Sequence, residues 1–413
     1  MAVRTTRRAA VFGVLLGACV AASTLPVRAQ APAQPAPDPK PTFEIYGFAM
    51  LDIGHNFTQI NPDWYDTLRV TRLPKVEKEF GENNSTFAGV RQSRLGVKSA
   101  TSTDYGDLKT IFEFELFGTG VDSGQTTFRL RHAWGELGAF GAGQYWSPFT
   151  DVDAFPNSLE YWGPTGLAWY RNVQVRWTPI ATPTNTFMVA FERPGASGDS
   201  GIYSDRVELQ NIKPRFPIPD LSAAWRTNQK WGYFRVAGQL REIKWDDVLE
   251  DDFDLSGRAT GWGLNLSSNL NAGKNDVIRV AFVVGEGIQN AMNDSPIDVG
   301  VEANRGNRAT PVVGKAIPIT ALSVFVDHKW NGELSSAFGY SRQDNDNTSE
   351  QAPDAFRVGQ YALGNLLYTP VPNAMAGVEF QWGRRENFSD GFHSDGVKLQ
   401  FSFKYNFSWK LGG

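Results

Sequence analysis

Residues 397–410 read VKLQFSFKYNFSWK. Val397, Leu399, Phe401, Phe403, Tyr405, Phe407 and Trp409 take every odd position, and Lys398, Gln400, Ser402, Lys404, Asn406, Ser408 and Lys410 take every even one. Fourteen residues therefore alternate apolar and polar without an error. A period of two puts successive side chains on opposite faces of a strand. Fourteen residues is long for a strand of a soluble sandwich. It is about what a tilted strand needs to cross a bilayer and reach both interfaces. One face of this strand meets an apolar phase and the other meets water.

The same pattern recurs upstream. Leu108, Thr110, Phe112, Phe114 and Leu116 oppose Lys109, Glu113 and Glu115. Ile278, Val280, Phe282 and Val284 oppose Arg279 and Ala281. Ala374, Ala376, Val378, Phe380 and Trp382 oppose Glu379 and Gln381. Continued along the chain, the pattern predicts sixteen strands, the first over 42–57 and the last over 394–409. Long connections (58–85, 118–125, 147–170, 193–219, 246–256, 289–315, 344–354 and 387–393) alternate with short ones such as Asn271-Ala272-Gly273, Asn331-Gly332 and Pro370-Val371-Pro372. A bacterial transmembrane barrel has short periplasmic turns and long outer loops. An even strand number then places both termini in the periplasm. The expected fold is all-β, a transmembrane 16-stranded antiparallel β-barrel spanning residues 42–413.

The start of the chain names the compartment. Three arginines lie within Met1–Arg8, an apolar run covers Ala9–Ser23, and Val27-Arg28-Ala29 fits a small-residue cleavage site. Residues 1–29 are expected to be a secretory signal peptide, with the mature chain starting at Gln30. Leu16-Gly17-Ala18-Cys19 also fits a lipoprotein cleavage box, the rival reading. Cys19 is the sole cysteine, so cleavage after Ala29 leaves no thiol for a disulfide or a zinc site. Residues 30–41, QAPAQPAPDPKP, hold five prolines and form an extended periplasmic spacer. Beyond the signal no apolar run is long enough for a spanning helix. A net charge of -4 on 413 residues argues against nucleic-acid binding.

Alternation also identifies the charges that face the lumen. Arg94, Lys98, Lys109, Arg129, Arg131, Arg176, Arg226, Arg235, Arg241 and Arg279 share the water-facing parity, against Glu44, Asp52, Glu113, Glu115 and Glu192 on the same strands. Ten cations against five acids is a basic ladder that would attract small anionic solutes. Eight of the ten are arginines, whose guanidinium grips carboxylates with a fork of donors. The plainer reading is a set of structural ion pairs lining a wet barrel. Loop 147–170 carries Asp151, Asp153 and Glu160 together with Tyr161, Trp162, Trp169 and Tyr170. Folded inward, its carboxylates would face the arginine wall and set a field across the pore.

Gln92–Lys98 followed by Gly106–Glu115, and Arg131–Leu137 followed by Gly143–Trp146, resemble the early strands of trimeric general porins. Gly143-Gln144-Tyr145-Trp146-Ser147, Trp162-Gly163-Pro164-Thr165-Gly166, Arg171–Arg176 and Gly377–Glu386 resemble the DcaP-like porin family more closely. That resemblance implies a homotrimer with one pore per subunit. It implies an inward-folded third loop at the constriction, and passage of small organic anions such as dicarboxylates and aromatic acids. Some relatives carry a helical N-terminal stalk where this chain has its proline-rich spacer. Gly47 and Ala49 on the outer face of the first strand would permit subunit packing.

Other functions find less support. The acids Asp246, Asp247, Glu250, Asp251, Asp252 and Asp254 crowd one outer loop, as a solvated run or as a bridge through divalent cations to lipopolysaccharide, the barrel's partner along with membrane lipid. Their spacing matches no metal loop. No metal or other cofactor is expected. His55, His132, His328 and His393 are dispersed, and no serine stands beside one in a nucleophile motif, so no catalytic residue is expected. The alternative is a non-conducting barrel acting as adhesin or structural anchor. Sixteen strands leave an aqueous channel unless something plugs them.

Overall fold

The computed structural model describes residues 41–412. The signal peptide and nearly all of the spacer lie outside the described residues. Twenty strands follow in order. They are β1 (Thr42–Asn56), β2 (Ser85–Gly89), β3 (Arg94–Thr103), β4 (Gly106–Phe117), β5 (Thr126–Leu137), β6 (Phe140–Trp146) and β7 (Arg171–Ala181). Next come β8 (Asn185–Glu192), β9 (Ile212–Arg215), β10 (Asp220–Gln229), β11 (Gly232–Asp247), β12 (Gly257–Ala272) and β13 (Asp276–Glu286). The chain ends with β14 (Val299–Ala303), β15 (Val312–Ala316), β16 (Pro318–Lys329), β17 (Leu334–Asn345), β18 (Phe356–Val371), β19 (Ala374–Asn387) and β20 (His393–Leu411). No α-helix occurs among the described residues.

Sixteen barrel staves result. β2 and β3 form one stave interrupted at residues 90–93, since both pair with β1. β9 prolongs the stave of β10, since both pair with β11. β14 and β15 make a separate hairpin within a loop. Every stave pairs antiparallel with the next, and β20 returns to β1 from Phe43↔Leu411 to Asn56↔Lys398. Closure satisfies the backbone groups of every stave without leaving an edge in hydrocarbon. The side chains divide as parity demands. On β20, Phe401 and Phe403 are 46% and 40% exposed, whereas Lys398, Gln400 and Ser402 are at most 1% exposed.

Seven turns of at most four residues lie at the end of the barrel that holds both ends of the described residues, and eight longer loops lie at the other. These loops are L1 (57–84), L2 (118–125), L3 (147–170), L4 (193–219), L5 (248–256), L6 (287–317), L7 (346–355) and L8 (388–392). In the turn after β12, Gly273 has a φ of +81°, a conformation that glycine adopts without strain. Gly47 serves the barrel itself: it lies opposite Phe407, and an added Cβ would fall 2.8 Å from that ring. Its small size accommodates a neighbouring side chain of the same chain.

Three loops enter the lumen, where sequence reasoning expected only the third. The inner faces of β16–β18 explain the difference. They present Phe325, Ala337, Phe356, Tyr361 and Leu363, an apolar wall that L1 covers with Leu68, Val70 and Leu73. Complete burial of each such side chain is worth roughly 1.5–3 kcal/mol. Phe149 and Ala168 of L3 pack with Ile288, Ala291 and Met292 of L6 in a second cluster. L3 and L6 also run antiparallel, with Trp169 N donating to the Ala291 carbonyl at 2.9 Å and Asn293 N to the Leu167 carbonyl at 2.8 Å. The interior is thus a loop-filled lumen with residual cavities.

Candidate functional site: the lumen constriction

β4 and β5 build the charged wall. Parity turns Glu113 and Glu115 inward from β4, and the register sets Arg129 of β5 and Arg94 of β3 directly opposite Glu115. A bulge after Glu113 brings Arg131 across both carboxylates, at 2.6 Å from each. Arg129 stands 2.5 Å from Glu115, Arg94 stands 3.6–3.7 Å from both acids, and Arg171 at the start of β7 reaches Glu115 at 3.9 Å. Tyr46 of β1 donates to Glu113 at 2.8 Å.

L3 closes over this wall. Tyr161 stacks on Phe117 with ring centroids 3.8 Å apart; its hydroxyl donates to Glu115 and accepts from Arg129. Burial, and then the Glu115 carboxylate, raise the Tyr161 phenol above its ordinary range, so it remains a donor. Beside the wall lies a cavity of about 780 Å³, lined by Arg94, Arg129, Arg131, Arg171 and Lys404, and by the aromatic rings of Tyr145, Trp146, Phe155, Trp162 and Trp169. Lys404 lies 4.1 Å over the Phe48 ring, with no carboxylate within 4 Å among the described residues. Five cations therefore face Glu113 and Glu115. The third nearby acid, Glu160, is neutralised by Lys398 behind the loop.

The other residues of the expected ladder lie apart from this cavity. Lys98 pairs with Glu44 at 3.2 Å, Lys109 with Asp107 at 3.6 Å and Arg176 with Glu136 at 2.9 Å, towards the short-turn end. Across the lumen Arg226 meets Asp153, and Arg279 meets Asp327 at 2.7 Å and the Asp153 carbonyl. Arg235 donates to the Pro148 carbonyl of L3. Arg241 is held by Asp220 and Asp298, each at 3.0 Å. Of the ten, only Arg94, Arg129 and Arg131 line the large cavity.

The loop carboxylates were expected to face the arginine wall across the pore. Two of them turn to the barrel wall instead, where they anchor L3. Asp151 accepts from Tyr233 at 2.8 Å and Ser267 at 2.5 Å. Glu160 forms a fully buried ion pair with Lys398. Asp153 remains half-exposed beside Arg226. Glu379 of β19 completes the anchor by accepting the backbone N–H groups of Leu159 and Glu160 at 2.8 and 2.9 Å. A loop of polar backbone can lie inside a barrel only if its groups find such partners. Sequence reasoning did not single out Arg171, Lys398 or Lys404. The parity of β20 carries the signal for both lysines.

Residues 74–407 match the family described as DcaP outer membrane protein. No curated protein matches the sequence. Among solved structures, the outer membrane channel DcaP of Acinetobacter baumannii superposes with a TM-score of 0.72 at 20% identity, covering 88% of this chain and 97% of that one. An anion-selective porin from Comamonas acidovorans superposes at 0.54 and 9% identity over 89% and 100% of the two chains. The trimer form of OmpT from Vibrio cholerae superposes at 0.51 and 15% identity over 89% and 99%. The barrel they share with this protein is the porin fold, and the family match extends over most of the sequence. The chain belongs to the DcaP outer membrane protein family.

Proposed function

We propose that the channel passes small hydrophilic solutes by diffusion with a preference for organic anions, dicarboxylates and aromatic acids among them. One observation carries this reading. Five cations (Arg94, Arg129, Arg131, Arg171 and Lys404) face two carboxylates beside the lumen cavity, an excess of three positive charges. Such an excess in a narrow, low-dielectric-walled space concentrates anions. The aromatic rings of the same cavity offer flat apolar contact to an aromatic acid. The anion-selective porin from Comamonas acidovorans shares the fold, which is compatible with the reading.

The test is a reversal potential across a planar bilayer under a potassium chloride gradient. Anion preference at low salt that fades at high salt is the expected result. Cation preference at low salt would refute it. Absence of any conductance would favour the adhesin or anchor reading, which draws on the three loops that occupy the lumen. The proposal extends to a homotrimer, to periplasmic termini and to a mature chain starting at Gln30. A trimer form is named for OmpT of Vibrio cholerae. Mass analysis of the mature protein in gentle detergent checks assembly and processing together, and an acylated Cys19 would overturn the cleavage site.

A further inference from the structure

At the long-loop end a second cavity, of about 580 Å³, lies between L1, L4, L6 and L7 and the end of β19. Its lining holds Arg69, Arg72, Lys75 and Arg385 against Asp199 and Asp354. Two of the cations are paired: Arg69 with Asp294 at 2.8 Å and Lys75 with Asp354 at 3.0 Å. The other two are not. Arg385 is nearly buried, and its donors go to neutral acceptors: the Thr71 carbonyl at 2.9 Å, the Asp354 carbonyl at 2.7 Å and Asn387 Oδ1 at 2.9 Å. The exposed Arg72 side chain makes no ion pair or hydrogen bond among the described residues. The Ser295 hydroxyl, also in the lining, is buried without a hydrogen-bond partner.

The carboxylates of Glu79, Asp294, Asp354 and Asp390 stand near enough to support the Arg385 charge but none touches it, so part of the desolvation cost of this buried guanidinium is left for an incoming anion to offset. Arg72 adds an exposed charge to the lining, and Ser295 adds a donor. The cavity also adjoins the lumen constriction. Arg69 lines it and lies 4.0 Å over the ring of Trp162, which lines the constriction cavity. The linings of the two spaces touch at the Arg69–Trp162 contact.

We propose that the Arg72–Arg385 recess is a separate capture site for small carboxylate anions, filled before they reach the constriction. This rests on the anion-channel reading above. Filling in series lets an arriving anion displace the one ahead of it, as multi-site conduction requires.

The experiment uses the full mature chain in a planar bilayer, with succinate added to one side and then the other. The readout is the association rate of succinate-induced current blocks. Reversing the charge at Arg72 (Arg72→Glu) changes the local charge by two units without breaking a contact. For a dianion about 10 Å from the side chain, Coulomb attraction in screened water predicts an association rate about threefold lower. The decrease appears from one side only, because the recess opens at one end. Arg385→Gln acts in the same direction, and Arg72→Glu carries the test alone if that variant fails to fold. An unchanged rate, or an equal fall from both sides, overturns the recess site while leaving the constriction intact. Cation preference of the unaltered protein overturns the channel reading and this site with it.

Discussion

Replacing Lys404 and Arg94 by glutamine removes two of the three excess charges at the constriction while leaving the Glu113–Arg131–Glu115 bridge in place. Lys404 has no acidic partner to strand, and Arg94 touches its glutamates only at 3.6–3.7 Å. A sphere with the volume of the 780 Å³ cavity has a radius of about 6 Å, so an ion at its centre sits about 7 Å from each wall charge. In water that separation gives about 0.6 kcal/mol per charge, halved to about 0.3 by screening at 0.1 M salt. Three excess charges then favour a monovalent anion by about 0.9 kcal/mol and disfavour a cation equally, an anion-to-cation ratio of about twenty. One remaining charge gives a ratio of about three. Raising the salt to 1 M brings the unaltered protein below about two. Reversal potentials of both proteins at both salt concentrations check these values. A double variant as selective as the parent at low salt would refute the assignment of selectivity to this wall.

Other outcomes follow from the same geometry. Arg131→Met leaves Glu113 and Glu115 short of their closest partner; it is expected to cost about 3 kcal/mol and lower the thermal midpoint in detergent, where the Lys404/Arg94 variant does not. Lys398→Met strands the buried Glu160 and costs about 3–5 kcal/mol. Single-channel recordings are then expected to show larger, noisier conductance as L3 loosens, with stability recovered by adding Glu160→Leu; a quiet, parent-like channel would show that the pair does not hold the loop. Asp153→Asn frees Arg226 and is expected to raise the anion-to-cation ratio about two- to threefold. Asp151→Asn removes a charge from the same cluster and also weakens the bonds to Tyr233 and Ser267, so it is expected to lower thermal stability, which Asp153→Asn does not, while shifting the reversal potential in the same direction.

The staves were legible because their determinants are local. Parity along fourteen residues of β20 and the contrast between Gly273-type turns and long loops place each strand within a few residues. Parity also groups Arg94, Arg129, Arg131 and Glu113 on one face, and the four line one cavity. It could not say which acid each arginine meets, because that depends on register and on the bulge after Glu113. Inward loops were harder still. Leu68 and Val70 in L1 alternate like a strand, and an apolar pair inside a 28-residue loop was a signal that the loop has something to bury. Their partners, Phe325 and Tyr361, lie more than 250 residues away, beyond any local pattern. The apolar inner wall of β16–β18 broke the rule that a pore interior is polar, and that exception decides where L1 goes.

The seam between β1 and β20 governs how the barrel can be assembled. Phe43 pairs with Leu411, so the two ends of the described chain meet only after every intervening hairpin is in place. Each of those hairpins forms between neighbours in sequence, whereas the seam closes a loop of nearly the whole chain. The order of folding follows: local hairpins first and ring closure last. Until that step both terminal staves expose unpaired edges, which hydrocarbon tolerates poorly and which invite pairing with a foreign strand. The seam is therefore the place where an incomplete sheet is most exposed to that pairing. It is also where a circularly permuted chain, reopened within L8, would shift the last step of closure to a different pair of staves.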